Sequence, residues 1–283
     1  MWIIAIMIVL LLFFYFYKGH KNTHEVVMNQ VSLDDSNVVG QPFNVLHISD
    51  MHLENISISP EKLYEHLKNE SIDLIALTGD FLDRKRSIPK LIPYLKMFNQ
   101  LHPTYGTYAV FGNHDYFLRK SNFLKLKKVL EDNGCKTLRN ENDVLIVDGK
   151  LINIIGIDDF STKRSNIEKS YQGLANGYNL VLTHDPNIVL NMKGFPFDYL
   201  LSGHFHGGQI YWPKPYHLMK MGNLVRMNMI KGLQQHDGKS FYISEGLGQT
   251  GLNIRIGSRP EITIHHLSIP VNIAKNKKTA RAI

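Results

Sequence analysis

Five short clusters hold most of the side chains in this sequence that could do chemistry. They are Asp50-Met51-His52, Gly79-Asp80-Phe81-Leu82-Asp83, Gly112-Asn113-His114-Asp115, Thr183-His184-Asp185 and Gly203-His204-Phe205-His206-Gly207-Gly208. Each carries groups that bind cations or move protons. Taken singly, such residues are ordinary: a lone histidine is more often a hydrogen-bonded core residue, and a lone Gly-Asp is usually a turn. His47, Asp185 and the pair His265-His266 read that way. The joint occurrence in the five clusters points instead to a site. Imidazole together with carboxylate suits manganese, iron, zinc or cobalt, and not calcium alone. Four histidines, two aspartates and an asparagine are too many for one tetrahedral ion. They suit two ions sharing a bridging carboxylate, as in two-metal phosphoester hydrolysis.

Something must bring clusters that far apart in sequence to one place. Each lies at or just past the end of an apolar run. The pattern predicts strands over 44–48, 74–78, 108–111, 151–155, 180–183, 199–201, 240–244 and 262–266. It predicts helices over 60–69, 88–99 and 122–133. Ser59 and Ser87 are their expected N-caps in the first two, and Gly134 ends the third. Strand–helix alternation followed by strands in series fits an α/β sandwich of two sheets with outer helices. In open α/β sheets the crevice beyond the strand carboxyl ends is the usual ligand site.

The order D-x-H, G-D-x-x-D, G-N-H-D, a later histidine and G-H-x-H resembles the calcineurin-like metallophosphoesterase superfamily over roughly residues 43–267. The ending Gly203-His204-Phe205-His206-Gly207-Gly208-Gln209 is similar to its bacterial membrane-associated branch of YkuE- and YaeI-type phosphodiesterases. The resemblance implies the family's αββα sandwich and a pair of divalent ions, manganese, zinc or iron. It implies that Asp50, His52 and His206 hold one ion, that Asn113, His184 and His204 hold the other, and that Asp80 bridges them. A hydroxide shared by the ions would attack phosphorus. His114 holds the position of the family's catalytic histidine, donating to a phosphoryl oxygen or protonating the leaving oxygen. Asp115 is expected to accept from the other ring nitrogen of His114 and fix its tautomer. For Asp83 two roles stand open, support for a ligating histidine or the cap of a turn. For Arg255 they are a substrate phosphate or plain surface exposure. Phe205 and Met51 depart from the residues common at those places, but neither is a ligand.

The substrate class implied is a phosphodiester or pyrophosphate, lipid-linked or nucleotide-linked substrates such as UDP-diacylglucosamine included. A phosphomonoesterase, a Ser/Thr protein phosphatase and a non-enzymatic metal-binding scaffold are the alternatives. Asp83-Arg84 matches the protein phosphatases, but Lys85 stands where they have glycine. Purple acid phosphatases would need a tyrosine ligand near the second cluster, where Asp83 stands.

The chain has 283 residues, a net charge of +7 and 43% hydrophobic residues, so it can bury a core and favours anionic partners. No basic stripe interleaved with aromatics marks a specific nucleic-acid partner. One cysteine, Cys135, excludes an intrachain disulfide and a cysteine-rich zinc module. Residues 2–17 carry no charge and would make a helix roughly 24 Å long against a hydrocarbon core of roughly 30 Å. No basic residue precedes the run and no small-residue cleavage site follows, which favours an uncleaved anchor over a signal peptide. Lys18 and Lys21 follow it, so the catalytic domain is expected on the cytoplasmic face of the cell membrane. The expected divisions are a transmembrane anchor at 1–19, a tether with room for one strand at 20–42, the phosphoesterase domain at 43–270 and a basic tail at 271–283. The segment 210–221, with Trp212, Leu218 and Met219, is a candidate headgroup contact or a loop packed on its own domain.

Overall fold

A computed structural model describes residues 2–33, 41–211 and 215–270. The basic tail, Trp212 and residues 34–40 of the expected tether lie outside the described residues. Two six-stranded mixed sheets pack face to face. The first has the order β1 (Val27–Leu33), β12 (Glu261–Leu267), β2 (Phe43–Ile48), β3 (Leu74–Thr78), β4 (Thr107–Val110) and β5 (Cys135–Thr137). The second runs β10 (Gly232–His236), β11 (Lys239–Ile243), β9 (Tyr199–Ser202), β8 (Tyr178–Leu182), β7 (Lys150–Gly156) and β6 (Glu141–Val147). β2 through β5 are mutually parallel, as are β7, β8, β9 and β11, so their carboxyl ends gather at one pole.

Three apolar layers hold the sheets. Val45, Leu74, Ile152, Leu180 and Leu201 fill the space between them. Leu46, Ile75 and Leu77 face α2 (Pro60–Leu67), α3 (Ile88–Gln100) and α4 (Lys120–Asp132) on one outer side. On the other, Val181, Leu200 and Phe241 pack under irregular segments, with Phe205 buried among them. Period-two burial on both faces of a strand yields near-continuous apolar runs, which is why the parallel strands were legible in the sequence.

The Ser59 side chain accepts from the Lys62 backbone N–H and caps α2 as expected. Ser87 makes no such bond and lies in a 3₁₀ turn that leads into α3. Within the segment 20–42, β1 is the one early strand for which the sequence left room, and it pairs in parallel with β12 along its whole length. The N-terminal helix α1 runs over Trp2–Asn22, beyond the boundary expected at residue 19. It is exposed along almost all its length, and only Gly19 and Asn22 are buried. Its length and composition suffice to cross a membrane.

Candidate metal centre

The five clusters meet at the pole where the parallel strands end. Asp50 and His52 follow β2, Asp80 and Asp83 follow β3, and Asn113, His114 and Asp115 follow β4. His184 follows β8, and His204 and His206 follow β9. The backbone there is unusual. Asp50, His52, Asp80, His204 and His206 all have φ between 37° and 77°, in the left-handed region. Non-glycine residues pay for that conformation, and such strain gathers at functional sites. Two glycines permit the close approach of the strand ends: a Cβ on Gly203 would overlap the Asp50 carboxylate, and one on Gly112 would overlap that of Asp80.

Three groups of candidate ligand atoms result, each within 4.8 Å: Asp50, His52 and His206; His52, Asp80 and His114; and Asp80, His184 and His204. Asp80 is common to two of them. Its Oδ2 lies 3.6 Å from His52 Nε2 and 3.1 Å from His184 Nε2. His206 Nε2 lies 3.3 Å from Asp50 Oδ1, and His204 Nδ1 lies 3.2 Å from His184 Nε2. Asn113 lines the same cavity of about 240 Å³ as Asp80, His114, His204 and His206.

The donor set fits a pair of cations. His52 Nε2, His206 Nδ1 and Asn113 Oδ1 are shielded from solvent and have no hydrogen-bond partner in the protein. An orphaned buried polar atom costs on the order of 1–3 kcal/mol, and a cation relieves several at once. The surroundings orient the rings. His184 Nδ1 donates to the Thr78 carbonyl at 2.8 Å, and His52 Nδ1 donates to Asp83 Oδ1 at 3.0 Å, so each turns Nε2 toward the site. Burial opposes the charged His184 ring, yet Asp80 and Asp50 raise its pKa, and a cation would have to displace that proton. Burial also pushes the His206 ring down to about 3 and lowers His204, which keeps both neutral and able to ligate. Burial opposes the charge on Asp50 and Asp80, but the surrounding imidazoles outweigh it and hold both below the usual carboxylate range. Their backbone partners add order: Asp50 accepts from the His204 N–H at 3.0 Å, and Asp80 accepts from the His114 N–H at 2.8 Å.

The expected partner of His114 is corrected. Asp115 does not meet its ring. Asp115 accepts backbone N–H groups of Asp80, Phe81 and Gly112, each at 2.9 Å, and ties the β3 and β4 loops together. Asp83 sits beside His114 instead, with Oδ1 2.9 Å from Nδ1. The reason is that Asp115 opens a 3₁₀ turn and its carboxylate is taken up by the backbone N–H groups of the two loops. Burial opposes the charged His114 ring, yet Asp83 and Asp80 together raise its pKa. Asp83 thus faces two imidazoles, and its own backbone N–H is held by Glu54, a residue the sequence reading passed over.

Arg255 meets neither expectation. It is fully buried, and its guanidinium donates to the carbonyls of Glu245, Gly246, Gly248 and Arg259. It clamps the glycine-rich loop against the site. Gln209 ends the last histidine motif. Its amide nitrogen donates to the carbonyls of Thr250 and Leu252, which joins the last histidine motif to that loop. Leu218 is 2% exposed and packs in the outer core, so it is no headgroup contact, whereas Met219 is 61% exposed.

The chain is similar in sequence to known proteins. The chain is 63% identical to the metallophosphoesterase YkoQ of Bacillus subtilis, over 89% of this chain and 94% of that one. It is 24% identical to phosphodiesterase YaeI of Escherichia coli, over 90% and 92%. It is 25% identical to the UDP-2,3-diacylglucosamine pyrophosphatase LpxG of Chlamydia trachomatis, over 78% and 82%. Residues 43–208 match the calcineurin-like phosphoesterase family as a whole, and that span contains every cluster from Asp50 to His206. On these grounds the chain belongs to the calcineurin-like phosphoesterase family.

Proposed function

We propose that this protein is a membrane-anchored phosphodiesterase or pyrophosphatase with a dinuclear centre. The observation that carries the reading is the placement of Asp80 between two sets of ligand atoms, with His114 at the mouth of the same cavity. Asp50, His52 and His206 would hold one divalent ion. Asn113, His184 and His204 would hold the other, and Asp80 would face both. Bound there, the ions supply charge neutralisation for the phosphoryl oxygens and an activated water. The protein's own part is positioning and proton transfer. His114 is half-buried; burial opposes its charge, but Asp83 and Asp80 raise its pKa, which favours the protonated ring as the donor toward a leaving oxygen. Asp83 orients His114 and His52 from one carboxylate.

YaeI and LpxG, both relatives by sequence, support a diester or pyrophosphate substrate, and LpxG supports one linked to lipid. The apolar α1 supports an anchor in the cell membrane. The two lysines after it favour a cytoplasmic domain. A larger recess of about 760 Å³ shares His204 with the first cavity and is lined by Lys163, Lys220 and Asn223, which suits a polar or anionic part of the substrate.

The test is His114→Ala, assayed on diesters with poor and good leaving groups together with metal content. Both ions should stay bound, and turnover should fall roughly 10²-fold for an alkyl leaving group, less for an aryl one. Equal losses on both would remove the general-acid role. A purified protein that holds both ions but hydrolyses no phosphoester would favour the scaffold reading, and one that binds no metal would overturn the dinuclear centre.

A further inference from the structure

The end of α1 is built into the metal-site wall. The Arg255 backbone N–H donates to the Gly19 carbonyl at 2.9 Å, and Asn22 Nδ2 donates to the Arg255 carbonyl at 2.7 Å. His20 Nδ1 lies 3.1 Å from the Asn253 carbonyl, and Thr23 Oγ1 lies 2.8 Å from Ser57 Oγ. A Cβ on Gly19 would come within 3.2 Å of the Ile254 side chain, so the helix and the 253–256 strip are in direct contact. That strip continues into the site on both sides. Ile256 forms a parallel bridge with Ile210, and Leu252 lines the cavity that holds Asp80, Asn113, His114, His204 and His206.

Distances along the helix then place this wall. The uncharged stretch ends at Tyr17, and Gly19 and Asn22 follow within about 8 Å at 1.5 Å per residue. The headgroup layer is roughly 5–8 Å deep on each side of the hydrocarbon. The wall gripped by Gly19 and Asn22 is therefore at headgroup depth. It carries an exposed apolar side chain: Leu252 is 58% exposed. Met219, 61% exposed, stands on the segment whose Leu218 and Met221 line the same cavity.

We propose that the mouth of the metal cavity is held against the bilayer that α1 enters, with Leu252 and Met219 seated among the lipid headgroups. The site then takes phosphate groups presented from the bilayer plane rather than from bulk water. This rests on reading α1 as an anchor, and it adds a fixed orientation of the domain. A flexible tether would leave the domain free to tumble; the contacts of Gly19, His20 and Asn22 in the last turn of α1 with the 253–256 strip, and of Thr23 just after it with Ser57, do not.

The experiment uses the full chain with its one cysteine replaced (Cys135→Ser) in vesicles of phosphatidylcholine and phosphatidylglycerol containing a headgroup nitroxide lipid. Single fluorophores are attached through Phe13→Cys, Met219→Cys, Leu252→Cys and Ile146→Cys, all at exposed positions. Ile146 lies on β6 beside the turn into β7, at the pole away from the site. The expected result is quenching at 13, 219 and 252 several-fold stronger than at 146. Quenching at 13 alone would overturn the proposal and leave the anchor standing. Quenching nowhere would overturn both. Shielding of 219 and 252 from an aqueous quencher without nitroxide quenching would mean that a second copy or another protein covers the rim, and would also overturn it. The functional arm is Gly19→Leu, which must pry α1 from Ile254. Turnover of a diester lipid in the vesicle should fall on the order of tenfold more than turnover of a soluble aryl diester, as the fixed placement is lost. Equal rates for variant and parent on the lipid would count against the proposal.

Discussion

Two aspartates only a few ångströms from the same histidine do different work, and the difference is one of hydrogen-bond partners. Asp83 faces the ring nitrogens of His52 and His114. Asp115 is consumed by the backbone of two loops. Burial, followed by the charge of Asp80, pushes the Asp115 carboxyl up to about 8 despite its amide donors. The two should therefore fail differently on substitution. Asp83→Asn should leave the melting temperature nearly unchanged and lower metal affinity or turnover roughly 10- to 100-fold, as expected for a group that orients a ligand and an acid. Asp115→Asn turns an amide NH₂ toward backbone donors and should cost roughly 1–3 kcal/mol of stability. Thermal melts set beside metal titrations separate the two. A stable, inactive Asp115→Asn with a shifted pH–rate profile would return the orienting role to Asp115.

At the scale of elements, the site is a set of loop ends pressed together, and the glycine-rich loop after β11 is the press. Its Leu247 and Gly248 N–H groups donate to the carbonyls of Ser49 and Asp50, directly under the first cluster. Arg255 holds the carbonyls of Gly246 and Gly248 from behind. Burial lowers this guanidinium to about 10, still charged at neutral pH, and the charge of Glu245 opposes the shift most. A Cβ on Gly248 would overlap the Met51 carbonyl oxygen, so backbone must move against backbone. Gly248→Ala should then destabilise the fold by roughly 1–3 kcal/mol and weaken the ion held by Asp50 and His52 more than the other. Metal stoichiometry during dialysis against a chelator checks this. Loss of both ions in step would show that the loop does not act on one side of the site.

Across the whole molecule, the seam between the sheets contains a polar seam of its own. His47, Tyr199, Tyr242 and His265 pack ring against ring there, and Tyr242 and Thr263 hydroxyls donate to Glu261 Oε1 at 3.0 and 2.9 Å. Burial pushes the Glu261 carboxyl up to about 7 from its ordinary 4.5, with Glu245 adding to the shift. Below 4.5 the proton is bound in folded and unfolded chains alike. Between 4.5 and about 7 the folded chain alone retains it, so this group's contribution to stability is lost as pH rises through that window. The full loss is on the order of 3 kcal/mol. Glu261→Gln stays neutral and should flatten the decline. Melting temperatures between about pH 5 and pH 8 test it, and parallel slopes for the two proteins would place the titration elsewhere.

The sequence by itself determined which residues could meet and on which elements. The strands that β2, β3, β4, β7, β8, β9, β11 and β12 became are apolar on both faces or nearly so, and a strand buried on both sides has no pattern but hydrophobicity. The clusters after them needed only order and spacing to be recognised. Tertiary structure alone decided the rest. β1, β6 and β10 alternate between exposed and half-buried positions at or near sheet edges, and β5 has three residues, so none carried a run long enough to read in full. The roles of Asp83, Asp115 and Arg255 depend on which backbone groups the turns leave unpaired, a matter of loop geometry that no residue type announces. The left-handed conformations of Asp50, His52, Asp80, His204 and His206 are of the same kind: non-glycine side chains do not advertise them, and only the packing of strand ends against one another enforces them. The grip of α1 on the 253–256 strip joins segments more than 230 residues apart, and a contact at that separation exists only once both sheets have closed.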